Sequence, residues 1–209
     1  MEGHHVMDVE EAIRTRHSVK VFSSEPVTPG LITQCLDLAI WAPNHRLTEP
    51  WHFTVVQGDA LVQFSDLVYH ILSVSRSSSG KALSEKRKYL SAPVLVAVYT
   101  AIDPSSETIT RENYASTAAA TQNMLLAAHN QGLGAVWRTS PVLENLSVRS
   151  FLQIPEPAQS VGLVFLGYSA QRAVTRRRTP AAQKTLWMGN PQNTEVMPLI
   201  KNTASDDPL

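Results

Sequence analysis

Three cations, an imidazole and two hydroxyls fall within seven residues near the N-terminus, in Arg14-Thr15-Arg16-His17-Ser18-Val19-Lys20. These residue types hold oxyanions. An Arg guanidinium grips a phosphate through two parallel N–H donors, and a hydroxyl supplies a further one. Val19, Val21 and Phe22 are β-branched or aromatic and predict an extended segment. Arg16, Ser18 and Lys20 would then project at alternate positions on one side of it, a side that suits an anionic ligand such as a phosphate. The same residues also fit a solvated helix end, with Arg16 and His17 complementing the C-terminal dipole. Spacing alone leaves both readings open.

The elements that must position these residues are legible from periodicity. Asp8 to Ile13 reads as the opening turns of a helix with Val9, Ala12 and Ile13 on one face. Thr28 is an expected N-cap with Pro29 at the first helical position, and that helix runs to about Trp41, before Pro43. His45 to Pro50 is a loop, and Trp51 to Val56 a mostly buried strand whose Trp51 and Phe53 pack inward. Helical patterns follow over Ala60–Val74, Ala82–Leu90, Glu112–Gln131 and Glu144–Leu152, with a serine-rich loop over 73–80. Apolar runs at Ala92–Tyr99, Ala135–Trp137 and Ser160–Gly167 read as further strands, and Gly132-Leu133-Gly134 as the left-handed cap of the long alanine-rich helix. Strands separated by helices predict an α/β or α+β class with a mostly covered sheet.

Composition narrows the function classes. With 209 residues, 43% hydrophobic and 17% charged, the chain fits one ordinary globular domain. A net charge of zero argues against nucleic acid as the main partner, despite the basic stretch Arg172 to Lys184. The single cysteine, Cys35, excludes an internal disulfide and a Cys-based zinc site, and it sits in an apolar helical pattern as a small hydrophobe. The histidines show no ligand spacing, so no metal is expected. Residues 1–11 carry no apolar signal segment and no run of about 18 apolar residues occurs, so a cytoplasmic location is expected. No Gly-x-Gly-x-x-Gly or Gly-x-x-x-x-Gly-Lys-Ser/Thr is present, so a bound phosphate must be held by side chains.

Five stretches, in order, carry a resemblance. Arg16-His17-Ser18-Val19-Lys20-Val21-Phe22 resembles the opening flavin-binding motif of the nitroreductase family. Ala39-x-x-Ala42-Pro43 followed by Pro50-Trp51-His52-Phe53 is similar to its second signature. Gly132 to Trp137 and Leu166-Gly167-Tyr168 are similar to the third and fourth, and Arg176-x-Arg178-x-Pro180 to the basic pair that follows. The loop Ala42 to Arg46 and the triplet Trp137-Arg138-Thr139 resemble a compact bacterial subgroup of that family. Together they cover roughly residues 8 to 187.

The resemblance implies an α+β fold of three-layer α/β/α type, with a central mixed sheet wrapped by helices. It implies one FMN-binding domain over residues 1–188, a tail or arm over 189–209, and a homodimer with FMN at the interface. Arg16, His17 and Ser18 would hold phosphate and ribityl oxygens, and Arg176 and Arg178 would complete the clamp. Lys20 would lie toward the flavin ring; Trp137, Arg138 and Thr139 would line it; Trp41 and His45 would approach from the other subunit. NAD(P)H would be the reductant and an electron-poor small molecule, such as a nitroaromatic or quinone, the acceptor. Same-fold dehalogenation or flavin fragmentation, and a non-catalytic flavin-sensing role, are the alternatives. Three positions depart from the family pattern. Leu47 stands where many members carry Asn, Glu49 where they carry Gln, and Arg138 with its neighbours where an acidic-glycine pair is usual.

Overall fold

The structure, a computed structural model, describes residues 7–74, 79–173 and 177–188. The chain divides into two compact units, Met1–Val174 and Thr175–Leu209. The second, where described, contains one short 3-10 turn, Ala181–Lys184. The expected tail over 189–209, Arg176, and half of the serine-rich loop (75–78) lie outside the described residues.

The first unit opens with α1 (Val9–Thr15), capped by the Asp8 carboxylate, which accepts from Glu11 N at 2.8 Å. Thr28 Oγ1 caps α2 (Pro29–Ala39) with Pro29 in its first turn, as the sequence predicts. Next come β1 (Trp51–Gln57), α3 (Asp59–Val74), α4 (Ser79–Tyr89) and β2 (Val94–Ala101). The longest helix, α5 (Glu107–Asn130), starts five residues earlier than its alanine pattern suggests, because the Ser106 hydroxyl caps it by accepting from Ile109 N. β3 (Gly134–Arg138), α6 (Leu146–Phe151) and β4 (Ala158–Gly167) complete the unit. The helix expected over 144–152 is broken at Asn145, whose side chain accepts from Ser147 N and Val148 N and so restarts the backbone after a 3-10 turn.

The four strands order as β1-β2-β4-β3, and all three pairings are antiparallel. The mixed character expected of the sheet rests on one parallel bridge, Ser18 with Ala135, at its β3 edge. β2 is buried on both faces, which is why it reads as an unbroken apolar run. Val94, Val96 and Val98 face Ile32, Cys35 and Ala39 of α2 and Met124, Ala127 and Ala128 of α5. Leu95, Ala97 and Tyr99 face Phe64 and Val68 of α3, Tyr89 of α4 and Val148 of α6. At about 1.5–3 kcal/mol for each fully buried Leu, Phe or Met, these two layers outweigh helix propensity in fixing the helices. Among the described residues, no helix is long and apolar enough to cross a membrane.

Two backbone devices shape the end of the sheet that concerns function. At the end of α5, Gly132 takes φ +75°, with Gly132 N donating to His129 O and Leu133 N to Ala128 O, a Schellman turn into β3. In β4 the pairing with β2 slips between Val98 and Tyr99, leaving Val161 as a bulge beside Gly162. The Val161 carbonyl accepts the Trp137 indole N–H at 3.2 Å. Gly162 has φ +151°, and a Cβ there would lie 2.5 Å from Trp137 Nε1.

Candidate functional site

Residues 17 to 23 leave α1 and run as a strap along the β3 edge and the end of β4. Val19 N donates to Ala135 O at 3.0 Å, Ser23 N to Tyr168 O at 2.9 Å, and Ala170 N to Val21 O at 3.0 Å. Gln171 accepts both Lys20 N and Val21 N on its side-chain oxygen at 3.0 Å. Val19 is 2% exposed and lies over Gly134, where a Cβ would stand 2.8 Å from its Cγ2; only a glycine lets the strap sit this close.

Between the strap, the end of α5 and residues 169–173 lies a cavity of about 200 Å³. Arg16, His17 and His129 are its basic lining, with Ser169 and Gln171 as polar neutral groups. His17 Nδ1 lies 3.2 Å from the Thr15 carbonyl, and His17 Nε2 is buried with no hydrogen-bond partner among the described residues. His129 Nε2 meets Thr15 Oγ1 at 2.7 Å. Burial, then the neighbouring His17 and Arg16, lower the His129 pKa, against a smaller opposing pull from Glu11. The C-terminal ends of α1 and α5 both point toward this region and work against an anion. That cost, about 0.3–1 kcal/mol per end, is smaller than the roughly 1.5–3 kcal/mol of each hydrogen bond from a charged donor. Arg16 can donate to a phosphate monoester there, and His17 can do so at Nε2 once that nitrogen carries a hydrogen.

The structure does not bring every expected residue here. Arg16 and Lys20 do not share a side of the strap. Lys20 is exposed and borders a second, more open cavity of about 480 Å³, formed with Phe22, Leu61 and Pro93. The reason is that the chain crosses from the β3 edge to the β4 end between them, so simple strand alternation fails. Ser18, half-buried, makes the bridge to Ala135. Trp137 and Arg138 are adjacent on β3 and face opposite ways. Trp137 packs on the α2/α5 side, while the Arg138 guanidinium lies 5.0 Å over the Phe165 ring on the other. Thr139 is exposed. Trp41, 81% exposed, and His45 stand on the surface at the end of α2 and in the loop that follows. That loop is conformationally costly: Arg46, Leu47 and Glu49 all have positive φ, and Glu49 N donates to the Asn44 side chain. Arg178 belongs to the second unit, and Arg176 is not described.

Thr15, His129 and Gln171 were not singled out from the sequence. Nothing in the spacing reveals that the end of α5, over 110 positions away, meets the end of α1. No group of three His, Cys, Asp or Glu that could hold a metal occurs among the described residues.

A family model described as "Nitroreductase family" matches residues 13–168. YdjA of Escherichia coli, which carries an NAD(P)H nitroreductase name, is 27% identical over 83% of this chain and 95% of its own. A nitroreductase-like family protein from Bacillus cereus superposes with a TM-score of 0.78 at 28% identity, over 88% of this chain and 97% of that one. A nitroreductase from Bacteroides fragilis, solved with bound FMN, superposes at 0.68 and 24% identity, over 87% and 99%. The last likeness bears on the fold, and its FMN is a property of that protein.

Proposed function

Because this chain belongs to the nitroreductase family, we propose that it is an FMN-dependent oxidoreductase that takes reducing equivalents from NAD(P)H to an electron-poor acceptor such as a nitroaromatic or a quinone. The observation that carries the reading is the cavity in which Arg16 and His17 converge and His17 Nε2 is buried without a partner. When bound there, FMN supplies the redox chemistry, hydride in from the nicotinamide and electrons out to the acceptor. The side chains therefore bind, orient and tune charge. Cys35 is no nucleophile in this scheme, since it is buried and its thiol is pushed up to about 11.

Arg16 and His17 hold the phosphate, and Ser18, fixed by the bridge to Ala135, holds phosphate or ribityl oxygens. Lys20 stands at the edge of the neighbouring cavity, where an ammonium favours negative charge accumulating on a reduced ring. Trp137, Arg138 and Thr139 are proposed beside the ring on the sequence resemblance; Trp137, held by Val161 O, and Arg138 face opposite ways, so only one of these two would meet the ring with its side chain. Arg176 and Arg178 are proposed as phosphate ligands on the sequence resemblance. Anaerobic mixing with NADH or NADPH is expected to bleach the flavin absorbance band within seconds. A flavin that stays oxidised with both would overturn the enzyme and favour a sensing role.

The reading includes a homodimer. Large apolar side chains stand exposed around α5: Val9 and Ile13 on α1, Leu38 on α2, Ile40 and Trp41 beyond it, and Leu47 in the loop. Ala115 is exposed and Ala118 half-buried on α5 itself, which permits close approach of a second copy. Trp41 and His45 would reach the flavin of that second copy. Light scattering is expected to give twice the chain mass, with an interface above about 2,000 Å². A stable flavin-loaded monomer would contradict it.

A further inference from the structure

We propose that phosphate binding in the Arg16–His17–His129 cavity is coupled to uptake of one proton at His17 Nε2, with Thr15 setting the tautomers of both imidazoles. The proposal rests on the reading that this cavity takes the FMN phosphate.

Donors and acceptors around Thr15 fix both imidazole tautomers. The Thr15 carbonyl can only accept, so His17 Nδ1, 3.2 Å away, carries the hydrogen. In neutral His17 the buried, unpartnered Nε2 is then a bare lone pair. The Thr15 hydroxyl donates its one hydrogen to Glu11 O at 2.7 Å, so toward His129 it can only accept. His129 Nε2 therefore carries a hydrogen, and its donation is already used. One residue, through its carbonyl and its hydroxyl, thus orients an imidazole from each side of the cavity.

A phosphate oxygen is an acceptor and is repelled by a lone pair. At His17 it needs a donor at Nε2, which means a proton drawn from solvent and an imidazolium formed on binding. The alternative recipient, His129, is disfavoured for a proton, because burial and the neighbouring His17 and Arg16 lower its pKa. Among the described residues of the first unit, the charged groups that face the pair are Arg16 and Glu11 from the α1 side; α5 contributes His129 itself, and the 169–171 segment contributes the neutral Ser169 and Gln171.

Calorimetric titration of FMN into apoprotein at pH 8, in two buffers of different ionisation enthalpy, counts the protons. The phosphate is almost wholly dianionic there, its second pKa being about 6. About half to one proton per FMN is expected to be taken up, and none with riboflavin, which lacks the phosphate. Affinity for FMN should fall as pH rises, by at most about tenfold per unit for one proton. His17→Gln places an uncharged amide N–H where Nε2 stood, so it should bind FMN without proton uptake and with a flat pH profile. His17→Asn keeps the contact to Thr15 O but offers nothing at Nε2, and should bind more weakly. FMN binding without uptake, or uptake undiminished in His17→Gln, overturns the coupling while leaving the flavin site standing. Failure of the apoprotein to bind FMN at all would instead remove the functional reading, and the coupling with it.

Discussion

Arg16→Ala is expected to weaken FMN binding by roughly ten- to a hundredfold, from about 1.5–3 kcal/mol for a charge-assisted phosphate contact. Arg14→Ala is expected to leave it within about twofold, the scale of an exposed ion pair. The two residues are separated by one position and carry the same charge, so long-range field differs little between them. Their surroundings differ. Arg14 is exposed and pairs with Glu10 at 2.7 Å, one turn away on the solvent side of α1. Arg16 is half-buried where the helix ends and borders the cavity with His17. A merely solvated cationic helix end predicts small, equal effects at the two positions. Fluorescence titration of FMN into the two apoproteins decides, and equal affinities would remove Arg16 from the phosphate site.

Gly162→Ala is expected to cost about 3 kcal/mol or more, combining an overpacked core with a backbone conformation that L-residues rarely adopt. For a chain of this size that lowers Tm by roughly 6–12 °C. The added Cβ would fall 2.5 Å from Trp137 Nε1 and 2.7 Å from the Arg138 carbonyl, so either the indole leaves its hydrogen bond to Val161 O or β3 shifts. The change should therefore also appear in the near-ultraviolet circular dichroism of the aromatic residues. Gly30→Ala is the control. A Cβ there meets nothing within 4 Å, and the position is helical, so stability should hold or rise by up to about 1 kcal/mol. Equal melting temperatures for the two variants would show that the bulge tolerates a side chain and does not pin Trp137.

What could be read from the sequence was what depends on neighbours along the chain. The Thr28-Pro29 cap, the Gly132 turn, the doubly buried β2 and the packing of Trp51 all follow from local periodicity and backbone preference, and the structure has them. The start of α5 was missed because its first turn is Glu-Thr-Ile-Thr, without the alanine pattern, and is set by the Ser106 hydroxyl. The expectation that Arg16 and Lys20 share a side failed because alternation assumes one continuous ladder. The strap instead changes partner, from Ala135 to Ser169, within five residues. His129 and Gln171 escaped notice for a stronger reason. Each acquires its role only through a partner more than a hundred positions away, and no local pattern encodes that.

The strap also has a consequence for how the protein is made. Its backbone donors at Lys20 and Val21 are satisfied by Gln171, 151 and 150 residues later in the chain. At about 5–20 residues per second, ribosomal synthesis leaves the first of these segments waiting roughly 8–30 s for its partner. During that interval the cationic segment has emerged while the β3 edge, the end of β4 and the turn after α5 do not yet exist to receive it. α2, β1 and α3 can begin to assemble on the nascent chain. The cavity beside Arg16 and His17 cannot close until nearly all of the first unit has been translated, so capture of a phosphate there is an event of the finished chain.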